Sequence, residues 1–221
     1  MLRSVLQLIR NLMGKNVDHR TKNTGNFGTV ECSLQGMKKS HDQRMEMWGN
    51  YLNAFLCYVF GDFARASEEI IKARPLVSRM FSNVESSIVV MVDGLIHLSP
   101  GRHRSVSIAR RCMIMLKRKA SKAPHQLLHC LYLLQAELAA FAGRNEQAIM
   151  KFLSAAAIAS ESQFRADLGI TFERFGDFYG RLGQEAARTK CYHKAVRAFR
   201  EWGATAKVIK MCEKHPELSR A

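Results

Sequence analysis

The hydrophobic residues from Met45 onward follow a helical pattern, with apolar positions recurring three and four residues apart. The four prolines, at positions 75, 100, 124 and 216, fall where helices would end or begin. No run of alternating β-branched residues bounded by turn residues interrupts this pattern, so we expect no β-strands. The pattern therefore predicts an all-α protein.

An internal repeat becomes visible when the chain is aligned on four glycines that are 40, 42 and 40 residues apart, namely Gly61, Gly101, Gly143 and Gly183. A small residue stands seven positions before each glycine. In three units a bulky residue follows nine positions after the glycine and an alanine twelve positions after it. These pairs are Ile70 and Ala73, Phe152 and Ala155, and Tyr192 and Ala195. The unit at Gly101 fits this pattern only in its first half.

Such a repeat is typical of helical hairpins. The glycine ends the first helix in the left-handed conformation, and the small residue lets the second helix approach closely. The bulky residue and the alanine share the face of the second helix that packs back on the first. Because one hairpin cannot bury both of its apolar faces, hairpins stack. We expect a tetratricopeptide-like α-α superhelix of about four hairpins over residues 45–221, closed by a capping helix over residues 204–212.

The second half of the chain resembles one family more specifically. Its motif residues match the helical-repeat tail of large signalling ATPases of the STAND type, which carry an attached sensor or histidine-kinase module. The matching residues are Ala136-Glu137-Leu138-Ala139, Gly143-Arg144, Ala148, Phe152, Glu173, Gly176, Phe178-Tyr179, Leu182-Gly183, Ala187-Arg188, Tyr192, Ala195, Trp202-Gly203-Ala204 and Ala206-Lys207-Val208. The closing block, residues 202–208, is the most specific part of the match.

The resemblance implies that the chain is the repeat portion of such a signalling protein, as a fragment, as the product of a truncated gene or as a stand-alone adaptor. In the family this tail lies between a nucleotide-binding module and a sensor or kinase module. This sequence has neither a Walker lysine nor a kinase glycine loop, so ATPase and kinase activity are not carried over. We expect a non-enzymatic scaffold without a cofactor, whose concave surface binds a partner's peptide or helix, or a sister domain.

Residues 1–44 differ from the rest and are predicted to form a basic, partly flexible leader. Apolar residues between Leu2 and Met13 mark one face of a short amphipathic helix, and a polar stretch from Lys15 to Gly28 breaks it. No acidic residue precedes Asp18. A mitochondrial presequence and a helix docked on the following domain both remain open. We expect a cytoplasmic protein, with a mitochondrial location as the alternative, and no membrane span.

The charge balance of 34 basic to 19 acidic residues gives a net charge of +15, which favours polyanions of any kind. Residues 100–125 hold eight of these cations and no acidic residue. The candidate polyanion contacts are Arg110, Arg111, Lys117 and Arg118. A basic helical repeat that binds nucleic acid is therefore the alternative function. A solvated helix surface or a contact with an acidic neighbouring domain explains these charges more simply, because no aromatic residues interleave them.

Two sets of residues are candidates for a groove that binds a partner. The first set is an aromatic stripe at helical spacing, Trp48, Tyr51 and Phe55 with Tyr58. Such a stripe either faces a groove or belongs to the core. The second set lies at matching positions of the last two units and comprises Glu137, Glu173, Asp177 and Arg181. Its carboxylates would suit a basic segment, although Asp177 and Arg181 are also spaced to pair with each other.

A possible metal-binding pattern occurs at His125, His129 and Cys130, where the two histidines share one helix face. No third or fourth ligand is evident nearby in the sequence, and helix capping after Pro124 with ordinary packing explains these residues more simply. The six cysteines occur singly, which is typical of reduced thiols rather than of a disulfide framework. We therefore expect neither a metal site nor catalytic residues.

Overall fold

The computed structural model describes residues 12–14, 43–77, 83–100 and 105–220 of the chain. Within these ranges the chain forms nine α-helices and no strand. The helices are α1 (Gln43–Val59), α2 (Phe63–Val77), α3 (Asn83–Leu98), α4 (Val106–Ala120), α5 (Pro124–Phe141), α6 (Asn145–Glu161), α7 (Arg165–Arg181), α8 (Glu185–Trp202) and α9 (Thr205–Lys214), followed by a 3₁₀-helix, Pro216–Arg220. The all-α fold predicted from the sequence is confirmed.

Consecutive helices pack into four hairpins, α1/α2, α3/α4, α5/α6 and α7/α8, and α9 follows as a single helix. The first helices of successive hairpins also pack on one another, α1 on α3, α3 on α5 and α5 on α7. Each hairpin thereby covers the apolar face that its neighbour leaves open. The predicted superhelix of about four stacked hairpins is confirmed.

Five corners in the described chain use the same backbone turn. Each contains a residue with φ between 61° and 84°, and these residues are Gly61, Gly143, Gln163, Gly183 and Gly203. The amide after that residue donates to the carbonyl five residues back, as from Gln184 to Tyr179 at 3.0 Å. This bond is the mark of a Schellman cap. Three of the four aligned glycines thus have the predicted left-handed conformation, and Gly101 lies outside the described residues.

The second hairpin departs from the register of the other three. Helix α4 begins at Val106, five residues after Gly101, whereas α2, α6 and α8 each begin two residues after their glycine. The longer corner moves the buried face of α4 to Ala109 and Cys112, and leaves Arg110 exposed. The poor match of this unit in the sequence therefore reflects an insertion at the corner, and the hairpin itself is kept.

The small residue late in the first helix of a hairpin has its clearest role at Gly176. A Cβ atom on Gly176 would lie 2.5 Å from the ring of Tyr192 on α8. That ring is buried, so it has no room to move aside. The equivalent Ala54 of α1 and Ala136 of α5 are also fully buried. Small side chains at this position let the two helices of a hairpin pack closely.

A polar contact joins the first hairpin to the second. Arg74 near the end of α2 donates two hydrogen bonds to the carboxylate of Asp93 on α3, at 2.7 and 2.8 Å. His97, one turn further along α3, lies 3.1 Å from the same carboxylate. Asp93 and His97 are buried, so their polar atoms need these partners.

The superhelix curls far enough for its first helix to meet its last. Lys207 on α9 donates a hydrogen bond to the carbonyl of Val59 at the end of α1, at 2.5 Å. Lys210 donates to the next carbonyl, that of Phe60, at 2.8 Å. These contacts join residues about 150 positions apart in the sequence. The C-terminal end of α1 is thereby capped by cations of α9.

Two parts of the predicted leader are described, residues 12–14, which lie against the last helix, and residues 43–44, which belong to α1. Leu12 is buried in the core, and a Cβ atom on Gly14 would lie 3.6 Å from that of Ala206 on α9. The rest of the predicted amphipathic helix lies outside the described residues. In the ranges that the structure describes, no helix combines the length and the hydrophobicity needed to cross a membrane.

Candidate functional site

The aromatic stripe of α1 lies inside the superhelix. Tyr51 and Phe55 are buried, and Trp48 is partly buried with its ring 5.4 Å from that of Tyr51. The ring of Phe55 lies 6.3 Å from that of Trp202 at the end of α8. Tyr58, one turn further on, is covered by Arg174 of α7 at 5.8 Å. In this arrangement the stripe packs against the chain itself.

Glu173 of α7 pairs with a buried cation. Lys207 Nζ lies 2.6 Å from Glu173 Oε1 and also donates to the carbonyl of Val59. The Lys207 side chain is only 5% exposed. Burial lowers the pKa of Lys207, and attraction to Glu173 offsets part of that effect. Glu173 therefore serves to neutralise the lysine that joins α9 to α1.

Asp177, one turn after Glu173, is also paired within the chain. Arg174 Nη2 lies 2.5 Å from Asp177 Oδ2, and the Tyr192 hydroxyl donates to Asp177 Oδ1 at 2.6 Å. Burial acts to raise the pKa of Asp177, but attraction to Arg174 and the hydrogen bond from Tyr192 outweigh it and hold the pKa below its usual value. Asp177 is thus a charged carboxylate with both oxygens occupied.

Glu137 and Arg181, the other two residues of the second groove set, take no part in the pairing of Asp177 with Arg174 and Tyr192. Glu137 of α5 is buried, and its Oε2 lies 4.0 Å from Nη2 of Arg181. The Arg181 side chain is 56% exposed. Arg181 therefore does not pair with Asp177, the partner that its helical spacing allowed, and it extends towards solvent.

A cavity of about 670 Å³ opens beside these residues, between the end of α1 and helices α7, α8 and α9. Its cationic lining residues are Arg174, Arg181, Arg188, Lys207, Lys210 and Lys214, its acidic ones are Glu173 and Asp177, and His215 also lines it. Both carboxylates are already neutralised by Lys207 and Arg174. A surplus of positive charge therefore lines a space of the size that binds peptides and small ligands.

His215 shows the effect of that surplus. Its Nδ1 lies 3.4 Å from Nη2 of Arg188, and its ring packs on Tyr192 with centroids 4.5 Å apart. Burial lowers the pKa of His215, and the nearby charges of Lys214 and Arg188 lower it further. The cations on this wall of the cavity therefore disfavour protonation of His215.

The predicted polyanion contacts lie on a different surface. Arg110, Arg111, Lys117 and Arg118 are all exposed on α4. Ile114 and Met115, between them in the sequence, are 49% and 43% exposed. Since α4 contains no acidic residue, every charge on this face is positive. It is separate from the cavity, which has no lining residue on α4.

The histidines and the cysteine near the start of α5 occupy different environments. His125 is exposed, whereas His129 and Cys130 are buried. His129 Nε2 lies 3.0 Å from Oδ2 of Asp167 on α7 and 3.2 Å from Cys130 Sγ. The structure thus places a third potential ligand, Asp167, where the sequence suggested none.

These three residues do not have the geometry of a nucleophilic triad. In such a triad the base uses one ring nitrogen for the nucleophile and the other for the carboxylate. Here Cys130 and Asp167 both contact Nε2, and His129 Nδ1 is buried without a hydrogen-bond partner among the described residues. Burial also raises the pKa of the Cys130 thiol, the opposite of activation.

Sequence reasoning missed Asp167, Lys214 and His215. Asp167 lies 38 residues after His129, close to one repeat length, and both are near the start of a first helix. A comparison of equivalent positions in successive repeat units could have indicated that these two residues are neighbours. Lys214 and His215 follow the last repeat, and only the closure of the superhelix brings them to the cavity.

Comparisons with known proteins found no relative of this chain. The chain matches no family model, no curated protein and no solved structure.

Proposed function

We propose that this chain is a non-enzymatic protein-interaction module whose cavity binds an acidic segment of a partner protein. The observation that carries the proposal is the charge of the cavity wall, where six lysine and arginine side chains face two carboxylates that are already paired. Lys214 makes no ion pair within the described residues, and Arg181 is more than half exposed. Such a wall attracts carboxylates and repels cations.

The aromatic stripe and the acidic residues enter this proposal as supports of the cavity. Tyr51 and Phe55 hold α1 inside the superhelix, and Glu173 holds the lysine that caps α1. An acidic partner is therefore a better fit than the basic one that the carboxylates suggested in the sequence. A partner helix would reach these aromatic rings only by displacing the parts of the chain that pack on them, such as Trp202 of α8.

The wider setting of the module is proposed from the sequence resemblance. We propose that it acts as the tetratricopeptide-like repeat portion of a signalling protein similar to the ATPase and sensor-kinase family, without ATPase or kinase activity of its own. The cytoplasm is the proposed compartment, with the mitochondrion as the alternative. The partner is then a peptide, a helix or a sister domain that carries clustered carboxylates.

A second candidate function is favoured by the basic face of α4. Four exposed cations with no acidic neighbour on the helix suit the phosphates of a nucleic acid. The face and the cavity lie on different elements, so the two functions can be tested separately.

The experiment compares two variants with the same change in net charge. Arg181→Glu with Lys214→Glu alters the cavity, and Arg110→Glu with Arg118→Glu alters the α4 face. Each full-length variant is titrated by fluorescence anisotropy with a labelled glutamate-rich peptide and with a single-stranded oligonucleotide. We expect the cavity variant to bind the peptide about tenfold more weakly, since two reversed contacts together change the binding free energy by about 1.4 kcal/mol.

The α4 variant is the matched control and should bind the peptide as the original chain does. Equal weakening in both variants, or none in either, would contradict the proposal, because binding would then depend on net charge or on neither surface. Selective loss of oligonucleotide binding in the α4 variant, with steep weakening by salt, would favour the second candidate instead.

A further inference from the structure

Three potential metal ligands converge between α5 and α7. The ligand atoms of His129, Cys130 and Asp167 all lie within 4.8 Å of one another. His129 and Cys130 are 4% and 1% exposed, and the Asp167 side chain is 23% exposed. Nitrogen, sulfur and oxygen donors at one point are the ligand types that Zn²⁺ accepts.

One proton on His129 Nε2 cannot serve both of its neighbours. Nε2 of His129 faces both the carboxylate and the thiol, at 3.0 and 3.2 Å. If Nε2 carries a proton, that proton can point to only one of the two neighbours. If Nε2 is bare, it can accept from the thiol of Cys130, but its lone pair then faces the carboxylate of Asp167. A cation among the three atoms removes this conflict, because each atom offers it a lone pair.

We propose that His129, Cys130 and Asp167 form a Zn²⁺ site that links the third hairpin to the fourth. A tetrahedral zinc shell places its nitrogen, oxygen and sulfur ligands roughly 3.3–3.6 Å apart, as follows from bond lengths of about 2.0–2.3 Å. The distances from Nε2 to the other two ligand atoms are only a few tenths of an ångström shorter. The third pair, Cys130 Sγ and the Asp167 carboxylate, lies within 4.8 Å, so side-chain rotations that draw these two groups together would admit the ion.

The surroundings hold the ligands in place. Phe164, immediately before α7, stacks on the His129 ring with centroids 4.6 Å apart and fixes its plane. Asp167 lies in the first turn of α7, and the carbonyl of the same residue accepts a hydrogen bond from Thr171 at 2.7 Å. The partial exposure of Asp167 lets water reach the fourth coordination position. On binding, the Cys130 thiol loses its proton to solvent, and the histidine binds as the neutral ring.

The test uses Co²⁺ as a spectroscopic probe for the zinc site. The full chain is stripped with a chelator and titrated with Co²⁺, which gives a thiolate-to-metal charge-transfer band when a cysteine coordinates it. We expect one Co²⁺ per chain with this band, and its loss when Zn²⁺ is added. We also expect Zn²⁺ to raise the melting temperature of the original chain.

Variants assign the ligands. Cys130→Ser should abolish the charge-transfer band, and Asp167→Asn should weaken Co²⁺ binding at least tenfold, since loss of even a supporting group at a metal site costs about 10–100-fold. Cys191→Ser, at another buried thiol, and His125→Gln, at the exposed histidine of the same helix, are matched controls and should bind as the original chain does. Circular dichroism checks that each variant is folded, and Asp167→Asn alters a side chain that is only partly buried.

Two results would overturn the site. The first is a folded original chain that shows no charge-transfer band with excess Co²⁺. The second is a band that survives Cys130→Ser or that disappears in Cys191→Ser. Neither result bears on the cavity, which has no lining residue in common with this site.

Discussion

At the scale of single residues, Asp93 is a buried carboxylate outside the candidate sites that depends on its partners. Burial acts to raise its pKa, but hydrogen bonds from His97 and Arg74 outweigh this and lower it below the usual 3.8. A carboxyl with a lowered folded-state pKa stabilises the fold at pH values above its unfolded pKa. That contribution disappears as the pH falls through the folded-state pKa.

We expect Asp93→Asn to lower the free energy of unfolding by about 2 kcal/mol at neutral pH. The loss is smaller than that for a fully buried ion pair, because the Arg74 side chain is 39% exposed and solvent screens its charge. Urea unfolding measures this difference, which should shrink as the pH is lowered below 3.8. Glu185→Gln, at an exposed pair with Arg188, is the control and should change little. A difference independent of pH would mean that the charge of Asp93 is not responsible.

At the scale of elements, the close packing of the two helices in a hairpin depends on the positions of glycine residues. Helix α7 contains Gly176 and Gly180 one turn apart, and only the first is in close contact with a ring. A Cβ on Gly180 would lie 3.2 Å from Cδ of Arg188, whose partly exposed side chain can shift. The two glycines therefore test close packing within one helix.

Gly176→Ala should destabilise the protein by about 1–3 kcal/mol, because the new methyl group forces the buried Tyr192 ring and α8 away from α7. Gly180→Ala should be neutral or stabilising by up to about 1 kcal/mol, because alanine favours a helix. Thermal and urea unfolding of the two variants check this difference in sign. Equal effects would show that the α7/α8 approach does not depend on Gly176.

The same elements show how far sequence reasoning reaches. Gly61, Gly143 and Gly183 mark hairpin corners because a left-handed residue is a local requirement, readable from the residue type. Gln163 has the same conformation, but its residue type does not indicate it. The register of α4 was not predictable, because the three additional residues between Gly101 and α4 do not change the hydrophobic pattern of the helix itself.

The candidate sites were harder to predict than the fold. Arg110 and its neighbours were expected to form a basic patch, and their exposure on α4 agrees with a surface position. The cavity and the pairing of His129 with Asp167 depend on how successive hairpins rotate against each other. That rotation is a sum of small packing angles that no single residue specifies.

At the scale of the whole molecule, α9 makes the stack more cooperative than an open array. An open array of repeats can fray at either end, since each unit contacts only its neighbours. Here Lys207 and Lys210 connect the last helix to the first. Opening either end therefore also breaks contacts at the other.

We expect Lys207→Met to weaken this closure by about 2 kcal/mol, because it leaves the carbonyl of Val59 and the carboxylate of Glu173 without their donor. Hydrogen–deuterium exchange should become faster both in α9 and in the last turn of α1. Lys190→Met, at an exposed lysine of α8, is the matched control and should exchange as the original chain does. Faster exchange in α9 alone would show that α1 is held independently of it.

The contact between Lys207 and Val59 also constrains the order in which the protein can be completed on the ribosome. The middle hairpins bury their faces against each other as soon as they emerge, since their contacts are close in sequence. Helix α1 is translated well before α8 and α9, and its last carbonyls and the Phe55 ring find their partners only when residues 202–210 have been translated. A newly synthesised chain therefore carries the Phe55 ring and the last turn of α1 without these partners until α9 has been made.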